Sequence, residues 1–190
     1  MKRLICLVAL VSLPVSAAFA QGMGMGGPQK ITLSAGLQRS WGGIKMNLTQ
    51  GAEKMPADQF GFKPTPEVRA FAELYGHVAN SMYGTCAAVK GEANPNQGND
   101  LEKQVTKAEV TKFLTDVLAY CDPAFAGLTE ENALQLVKQG QNEVARAQIL
   151  AGLIAHDNEI YGTSVVYLRL KGIVPPSTER AQAPRRPSEN

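Results

Sequence analysis

Residues 143–171, EVARAQILAGLIAHDNEIYGTSVVYLRLK, carry the longest helical pattern of the chain. Apolar side chains recur there every three or four residues, which is the spacing of one face of an α-helix. Gly172 and the Pro175–Pro176 pair follow, and residues of these types end helices. Because an apolar helix face must be covered by other elements, this segment predicts a protein built from packed helices.

Three shorter helical patterns precede this segment, at about Thr32–Glu53, about Thr65–Val89, and from Thr106 onward. For the second, Thr65 can act as the cap and Pro66 fits the first helical position. The third begins with Thr106-Lys-Ala-Glu109, a capping box in which each end residue satisfies a backbone donor of the other. The second and third starts therefore have a local physical basis.

The rest of the chain offers no strand pattern. Thr129 starts a short helical piece that we expect to run through Val137, and no alternating run of β-branched residues is long enough for a strand. Four long amphipathic helices without strands predict an all-α four-helix bundle, in which long loops allow crossover connections.

The first twenty residues have the pattern of a secretory signal. A short basic stretch precedes an apolar run from Leu4 to Val15, and Ala18-Phe19-Ala20 supplies the small residues that signal peptidase recognises. We interpret Met1–Ala20 as a signal peptide that is cleaved before Gln21. The mature protein is then expected in the periplasm or outside the cell, without stable membrane insertion, because no further apolar run approaches a membrane span.

Removing the signal changes the charge of the protein. The chain has 190 residues with 19 basic and 17 acidic side chains, and the mature part retains 17 of each. A neutral protein gives no support to nucleic-acid binding. Its size suits one domain, for which we expect a flexible segment at 21–30, the bundle at 31–174 and a disordered polar tail at 175–190.

Only two of the three cysteines, Cys86 and Cys121, survive cleavage. An even pair in an oxidising compartment predicts a disulfide. Closing a loop of about 34 residues would stabilise the fold by about 3–4 kcal/mol in the chain-entropy model. The alternative, that either cysteine is a nucleophile, is less well supported, because His77 lies more than two helical turns from Cys86.

The chain has only two histidines, His77 and His156, and each lies in a helix that is predicted to form the core. Bundles build metal sites from inward side chains of facing helices, so the pair could converge on one ion. Alternatively, each histidine is satisfied by a carbonyl or a carboxylate. Met46 and His156 could together ligate haem, but a Cys-x-x-Cys-His motif is missing, and we expect neither haem nor nucleotide.

Six motifs follow one another in an order that is found in a known family. They are Ala52–Pro56, Phe60–Arg69, Leu74–Ala79, Tyr120–Asp122, His156–Gly162 and Val166–Pro176. Together they resemble the DinB-like superfamily, most closely its exported bacterial members, over about Leu33 to Pro176. The resemblance implies a four-helix bundle of up-down-down-up order. It also implies a divalent metal held by three histidines, one from the second helix and two from a His-x-x-x-His pair on the last.

Carried over to this chain, the resemblance assigns His77 as the first ligand and His156 as the second. Ile160 occupies the third position, and two imidazoles are fewer than the three protein ligands that zinc or nickel usually needs. Glu159, three residues after His156, is the candidate replacement, since two histidines and a carboxylate suit zinc or iron. Glu73, four residues before His77, is a further carboxylate within one turn.

Two functions are compatible with these residues. The first is an exported bundle with a degenerate metal centre that binds a small molecule or a partner. The second follows from the resemblance, since some relatives are similar to thiol-dependent transferases or hydrolases in which a Zn, Ni or Fe ion activates a thiol or water. The resemblance also implies a homodimer as one possible assembly. Ile160 favours the first function, and whether the protein is an enzyme stays open.

Overall fold

The computed structural model describes residues 30–183 and contains four long helices around one core. They are α1 (Leu33–Lys54), α2 (Phe71–Lys90), α3 (Lys107–Ala126) and α4 (Arg146–Leu170). The expected signal peptide, residues 21–29 of the expected flexible segment and residues 184–190 lie outside the described part. Within residues 30–183, no helix combines the length and the apolar character needed to cross a membrane.

Contacts at the two ends of α1 give the direction of α3. Near the end of α1, the Lys107 ammonium at the start of α3 donates to the carbonyls of Glu53 and Met55. Near the start of α1, the Gln38 amide donates to the carbonyl of Phe125 at the end of α3. The two helices are therefore antiparallel.

The direction of α4 follows from its contacts with α2. Tyr167, near the end of α4, donates to the carbonyl of Arg69 just before α2, and Arg146 at the start of α4 donates to the carbonyl of Val89 at the end of α2. Packing at Gly51 places the later part of α1 beside the later part of α4. The order is therefore up-down-down-up, as expected.

The core is mostly apolar, with Asp157 and Ser164 as buried polar residues, and a disulfide joins two of its helices. Trp41 stacks on Phe125, with ring centroids 4.3 Å apart and planes 6° from parallel. Cys86 on α2 and Cys121 on α3 form a disulfide with a Cα–Cα distance of 5.3 Å, and both residues are buried. The predicted disulfide is confirmed.

Helix α3 begins as the sequence predicts. The Thr106 hydroxyl accepts from the backbone N–H of Glu109, and the Glu109 carboxylate accepts from the backbone N–H of Thr106. Both partners of this capping box lie within four residues, so local sequence suffices to place it.

The prediction for the start of α2 was wrong. The helix begins at Phe71, and Thr65-Pro66 lies in the preceding loop. That loop folds back, so that the N–H of Phe71 donates to the carbonyl of Phe62 and the N–H of Ala72 to that of Phe60. Loop carbonyls thus accept hydrogen bonds from the first backbone N–H groups of α2, which in many helices bond to a capping side chain.

The prediction of a helical piece over Thr129–Val137, without strands, was also wrong. The chain instead forms an antiparallel hairpin of β1 (Leu136–Gln139) and β2 (Asn142–Ala145), and α4 starts after it. Gly140, at the tip, has a φ of 61°. A tight two-residue hairpin turn needs such a positive φ, which glycine adopts without steric cost.

The expected disordered tail contains a further short helix, α5 (Pro176–Gln182), so this expectation is corrected for its first half. Pro176 fits the first helical position. Glu179 forms an ion pair of 2.6 Å with Lys54, and Ser177 bonds to the Tyr161 hydroxyl at 2.9 Å. These contacts hold α5 against α1 and α4.

Candidate metal centre

The two histidines meet where α2 faces α4. The Nε2 atoms of His77 and His156 are 3.1 Å apart, and the ring centroids are 5.0 Å apart. Each side chain is about one third exposed, at 29% for His77 and 30% for His156. The structure therefore brings together two of the three residues that the sequence nominated as metal ligands.

On the α2 side, Glu102 lies behind His77. Its Oε1 is 2.9 Å from Nδ1 of His77, and its Oε2 is 2.9 Å from Nε of Arg69. An ionised carboxylate only accepts hydrogen bonds, so this contact is a hydrogen bond when Nδ1 carries the hydrogen. In the neutral imidazole, the lone pair is then on Nε2 and points towards His156.

Glu102 lies in a 3₁₀ turn, Leu101–Lys103, that we call the Glu102 turn. The turn packs directly on Gly76, where an added Cβ would lie 2.5 Å from the carbonyl oxygen of Leu101 and 2.6 Å from the backbone of Glu102. Asp100 caps the turn by accepting from the N–H of Glu102, and Asn80 on α2 accepts from the N–H of Leu101. Helix α2 thus carries His77 and also holds the turn that supplies its carboxylate.

On the α4 side, the partner of His156 is its neighbour Asp157. Nδ1 of His156 is 3.5 Å from Oδ1 of Asp157. Asp157 is fully buried, and its Oδ2 has no hydrogen-bond partner among residues 30–183. Burial raises the pKa of Asp157 to about 6, and the hydrogen bond that the Asp157 carboxylate accepts from His156 raises the pKa of His156.

The two Nε2 atoms are close enough to need a hydrogen or a metal ion between them. With hydrogens on both Nδ1 atoms, two lone pairs would meet at 3.1 Å and repel each other. A proton on Nε2 of His156 would relieve this, because it would donate to His77. A metal ion would relieve it equally, since nitrogens that bind one ion with bonds of about 2.0–2.1 Å lie roughly 3–3.5 Å apart when adjacent.

The described residues supply two ligands and not a third. Ile160, one turn after His156, is apolar and buried. Glu159 is exposed, and Glu73 is engaged by the N–H of Ala70 and the Lys63 ammonium. Over residues 30–183 no group of three or more His, Cys, Asp or Glu side chains is arranged to hold an ion. The site therefore fits a weakly held ion better than a resident one.

A cavity of about 730 Å³ lies one helical turn from the histidine pair, between α4 and the segment before α2. Its apolar wall includes Leu74, three residues before His77, and Ile160, four residues after His156. Its polar groups include Glu159 and Arg69, and Arg69 also binds Glu102. The cavity and the histidines are thus connected through Arg69.

Sequence reasoning missed Glu102 and Arg69. Glu102 is 25 residues from His77 and lies in a region without helical periodicity. Two signals were available: a glycine directly precedes His77, and Asp100 is a suitable cap for a short turn. Neither signal identifies the element that packs on the glycine.

Comparisons with known proteins agree on one family. The model of the DinB superfamily matches residues 44–163, which include both histidines and both disulfide cysteines. None of the curated proteins matches the chain.

Several solved structures are similar to this one, and two of them are DinB-like proteins from bacilli. One is a DinB-like protein from Bacillus cereus, with 12% identity and a TM-score of 0.61 over 74% of this chain and 94% of that one. The other is the DinB-like protein YjoA from Bacillus subtilis, with 21% identity and a TM-score of 0.56 over 72% of this chain and 92% of that one. At these identities the likeness shows the fold.

Proposed function

The chain belongs to the DinB superfamily, and from this premise we propose that it is an exported small-molecule-binding protein with a degenerate, two-histidine metal centre. The observation that carries the proposal is the approach of Nε2 of His77 to Nε2 of His156, at 3.1 Å, next to an apolar Ile160. In this proposal His77 and His156 are the two ligands, and the apolar Ile160 side chain has no atom that could be the third.

A centre of this kind holds a divalent ion loosely. Zinc, nickel or iron would bind His77 and His156 and fill its remaining positions with water or with atoms of a bound molecule. The ion would then exchange readily, and the metal that occupies the site would be determined by which ions are available in the surrounding solution.

The ligand is expected in the cavity beside the histidines. Leu74, Ile160 and Tyr167 give it apolar walls, while Arg69 and Glu159 add charges of opposite sign. Pockets of this composition bind molecules that are largely apolar and carry a few polar groups. A partner protein is not needed to explain this surface.

Export is supported by two features. Residues 1–20 have the pattern of a signal peptide. The Cys86–Cys121 disulfide persists in the periplasm or outside the cell and is rare in the cytosol.

A second candidate is a metal-dependent thiol transferase or hydrolase. The observation in its favour is the carboxylate behind His77, because metal-binding histidines usually have such a partner on the second ring nitrogen. When bound, the ion would supply a Lewis acid that activates a thiol or water. His77 and His156 would hold it, and Glu159 is the remaining candidate for a third ligand.

Calorimetric titration of the mature chain with Zn²⁺ and with Ni²⁺ tests the proposal. We expect weak binding in the parent and none in His77→Ala. Ile160→His should tighten binding by about 100-fold, at the upper end of the effect of even an outer-shell partner. Ile160→Leu is the matched control and should leave binding unchanged.

Two results would count against the degenerate centre. One is tightly held, stoichiometric metal in the purified parent protein that is lost in His77→Ala. The other is an Ile160→His protein that binds no more tightly than the parent. Metal-dependent consumption of a low-molecular-weight thiol would favour the second candidate.

A further inference from the structure

We propose that Glu102 is the positioning residue of the centre, because it holds His77 in the Nδ1–H tautomer and turns Nε2 towards His156. The metal-binding consequence rests on the function proposed above. The tautomer itself does not, because it is a property of the metal-free protein.

The first argument is the chemistry of the contact. Oε1 of Glu102 lies 2.9 Å from Nδ1 of His77. In the other tautomer, Nδ1 would present a lone pair to a carboxylate oxygen, and neither atom could donate. The contact is therefore favourable only when Nδ1 carries the hydrogen, which leaves Nε2 free to bind an ion.

The second argument is that the carboxylate itself is held in place. Its other oxygen accepts from Nε of Arg69 at 2.9 Å, and its side chain is 28% exposed. Within residues 30–183, no other carboxylate contacts His77. Among the carboxylates of these residues, Glu102 is therefore the one that can favour the Nδ1–H tautomer of His77.

The third argument is the backbone that delivers Glu102. The Glu102 turn packs on Gly76, the residue before His77. This backbone contact fixes the distance between the His77 imidazole and the Glu102 carboxylate. Asn80, one turn later on α2, accepts from the N–H of Leu101. This arrangement gives Glu102 little freedom to move away from His77.

Nitrogen-15 NMR of the metal-free protein, above the titration range of both histidines, reads the tautomer directly. The mature chain has only two imidazoles, and His156→Gln assigns them. We expect the Nδ1–H tautomer for His77 in the parent. In Glu102→Gln, Arg69 should keep the amide oxygen, so the amide NH₂ donates to Nδ1 and the ring shifts towards the Nε2–H tautomer.

The same variant should weaken Zn²⁺ binding by about 10–100-fold, the usual effect of removing an outer-shell partner. Glu92→Gln is the matched control, because Glu92 is a carboxylate bound to Lys90 and Tyr120 away from His77. It should leave both the tautomer and the Zn²⁺ affinity unchanged.

The proposal is overturned if His77 has the Nε2–H tautomer in the parent, or if Glu102→Gln keeps the Nδ1–H form. A parent protein that binds no Zn²⁺ while its tautomer changes in Glu102→Gln would sink the metal centre and support the positioning role. A parent protein that binds Zn²⁺ while its tautomer is unchanged in Glu102→Gln would support the metal centre and overturn the positioning role of Glu102.

Discussion

The two halves of the histidine pair are supported very differently. In the α2 half, His77 has a carboxylate at 2.9 Å, which Arg69 holds from its other side. In the α4 half, the carboxylate beside His156 is Asp157 at 3.5 Å, one of whose oxygens has no hydrogen-bond partner in the described part of the chain, and Ile160 follows one turn later. His77 on α2 therefore has a well-ordered set of supporting contacts, whereas His156 on α4 does not.

The largest effect on stability is expected from Gly76→Ala, which disrupts the packing of the Glu102 turn on α2. The new Cβ would lie 2.5 Å from the carbonyl oxygen of Leu101, and backbone on both sides cannot yield easily. We expect the free energy of unfolding to fall by about 3 kcal/mol, at the upper end of typical overpacking costs. Urea denaturation measures it.

Gly84→Ala, on the same helix, is the control. An added Cβ there meets only the Asn94 amide at 3.9 Å, so this variant should gain about 0.5–1 kcal/mol. Equal stabilities for the two variants would show that the Glu102 turn does not pack tightly on Gly76.

The second largest effect on stability is expected on the α4 side of the histidine pair, from Asp157→Asn. Burial raises the pKa of Asp157 from 3.8 to about 6, so the folded state holds this proton more tightly than the unfolded state does. Stability therefore falls as pH rises from about 4 to about 6 and then stays low. The variant should gain about 2 kcal/mol at pH 8, from roughly 1.4 kcal/mol per pKa unit with some allowance for relaxation.

Urea denaturation at pH 8 and at pH 4 checks this prediction. The gain should largely disappear at pH 4, where the parent carboxyl is protonated in the folded state and close to half protonated in the unfolded state. Asp116→Asn, which removes an exposed pair with Lys112, should change stability by less than about 0.5 kcal/mol at either pH. A gain of equal size at both pH values would contradict the burial argument.

A smaller effect is expected at the start of α2, from Glu73→Gln. The N–H of Ala70 donates to this carboxylate at 2.6 Å and lowers its pKa. Because the folded pKa lies below the ordinary 4.5, the stabilisation is present above that pH and is lost as pH falls. We expect a cost of about 1 kcal/mol at pH 7, as for other helix caps.

Glu67→Gln provides the comparison for this prediction. Glu67 lies in the loop where the sequence favoured the helix start, and it is exposed. Thermal unfolding at pH 7 should show a lower melting temperature for Glu73→Gln only. A similar decrease for Glu67→Gln would mean that the residues near Thr65, where the sequence predicted the helix start, also stabilise the start of α2.

The smallest effect is expected from Arg69→Gln. Its side chain is 44% exposed, and exposed ion pairs contribute about 0–1 kcal/mol. We expect a loss of about 0.5 kcal/mol, and a coupling of similar size with Glu102→Gln in a double-mutant cycle. A coupling above about 2 kcal/mol would mean that Arg69 does more for the α2 half than hold one oxygen.

Local signals explain what the sequence predicted well. The capping box at Thr106 and Glu109 lies within four residues, and the even cysteine pair needed only the export signal to predict the disulfide. His77 and His156 could be paired because both lie on apolar helix patterns and the family places them together.

Long-range contacts explain what the sequence did not predict. Thr65-Pro66 has the chemistry of a helix start, but carbonyls of Phe60 and Phe62 take the first amides of α2. The hairpin depends on Gly140, whose positive φ also suits a helix end. Glu102 reaches His77 only because a distant loop fits against a residue without a side chain.

The bond between Cys86 and Cys121 closes a ring of chain that contains the Glu102 turn. A protease that cuts the exposed loop between α2 and α3 would therefore produce two fragments that stay covalently linked until the disulfide is reduced. The carboxylate of Glu102 remains tethered to the helix that carries His77 even after such a cut. In an environment rich in proteases, this covalent ring protects the better supported half of the histidine pair.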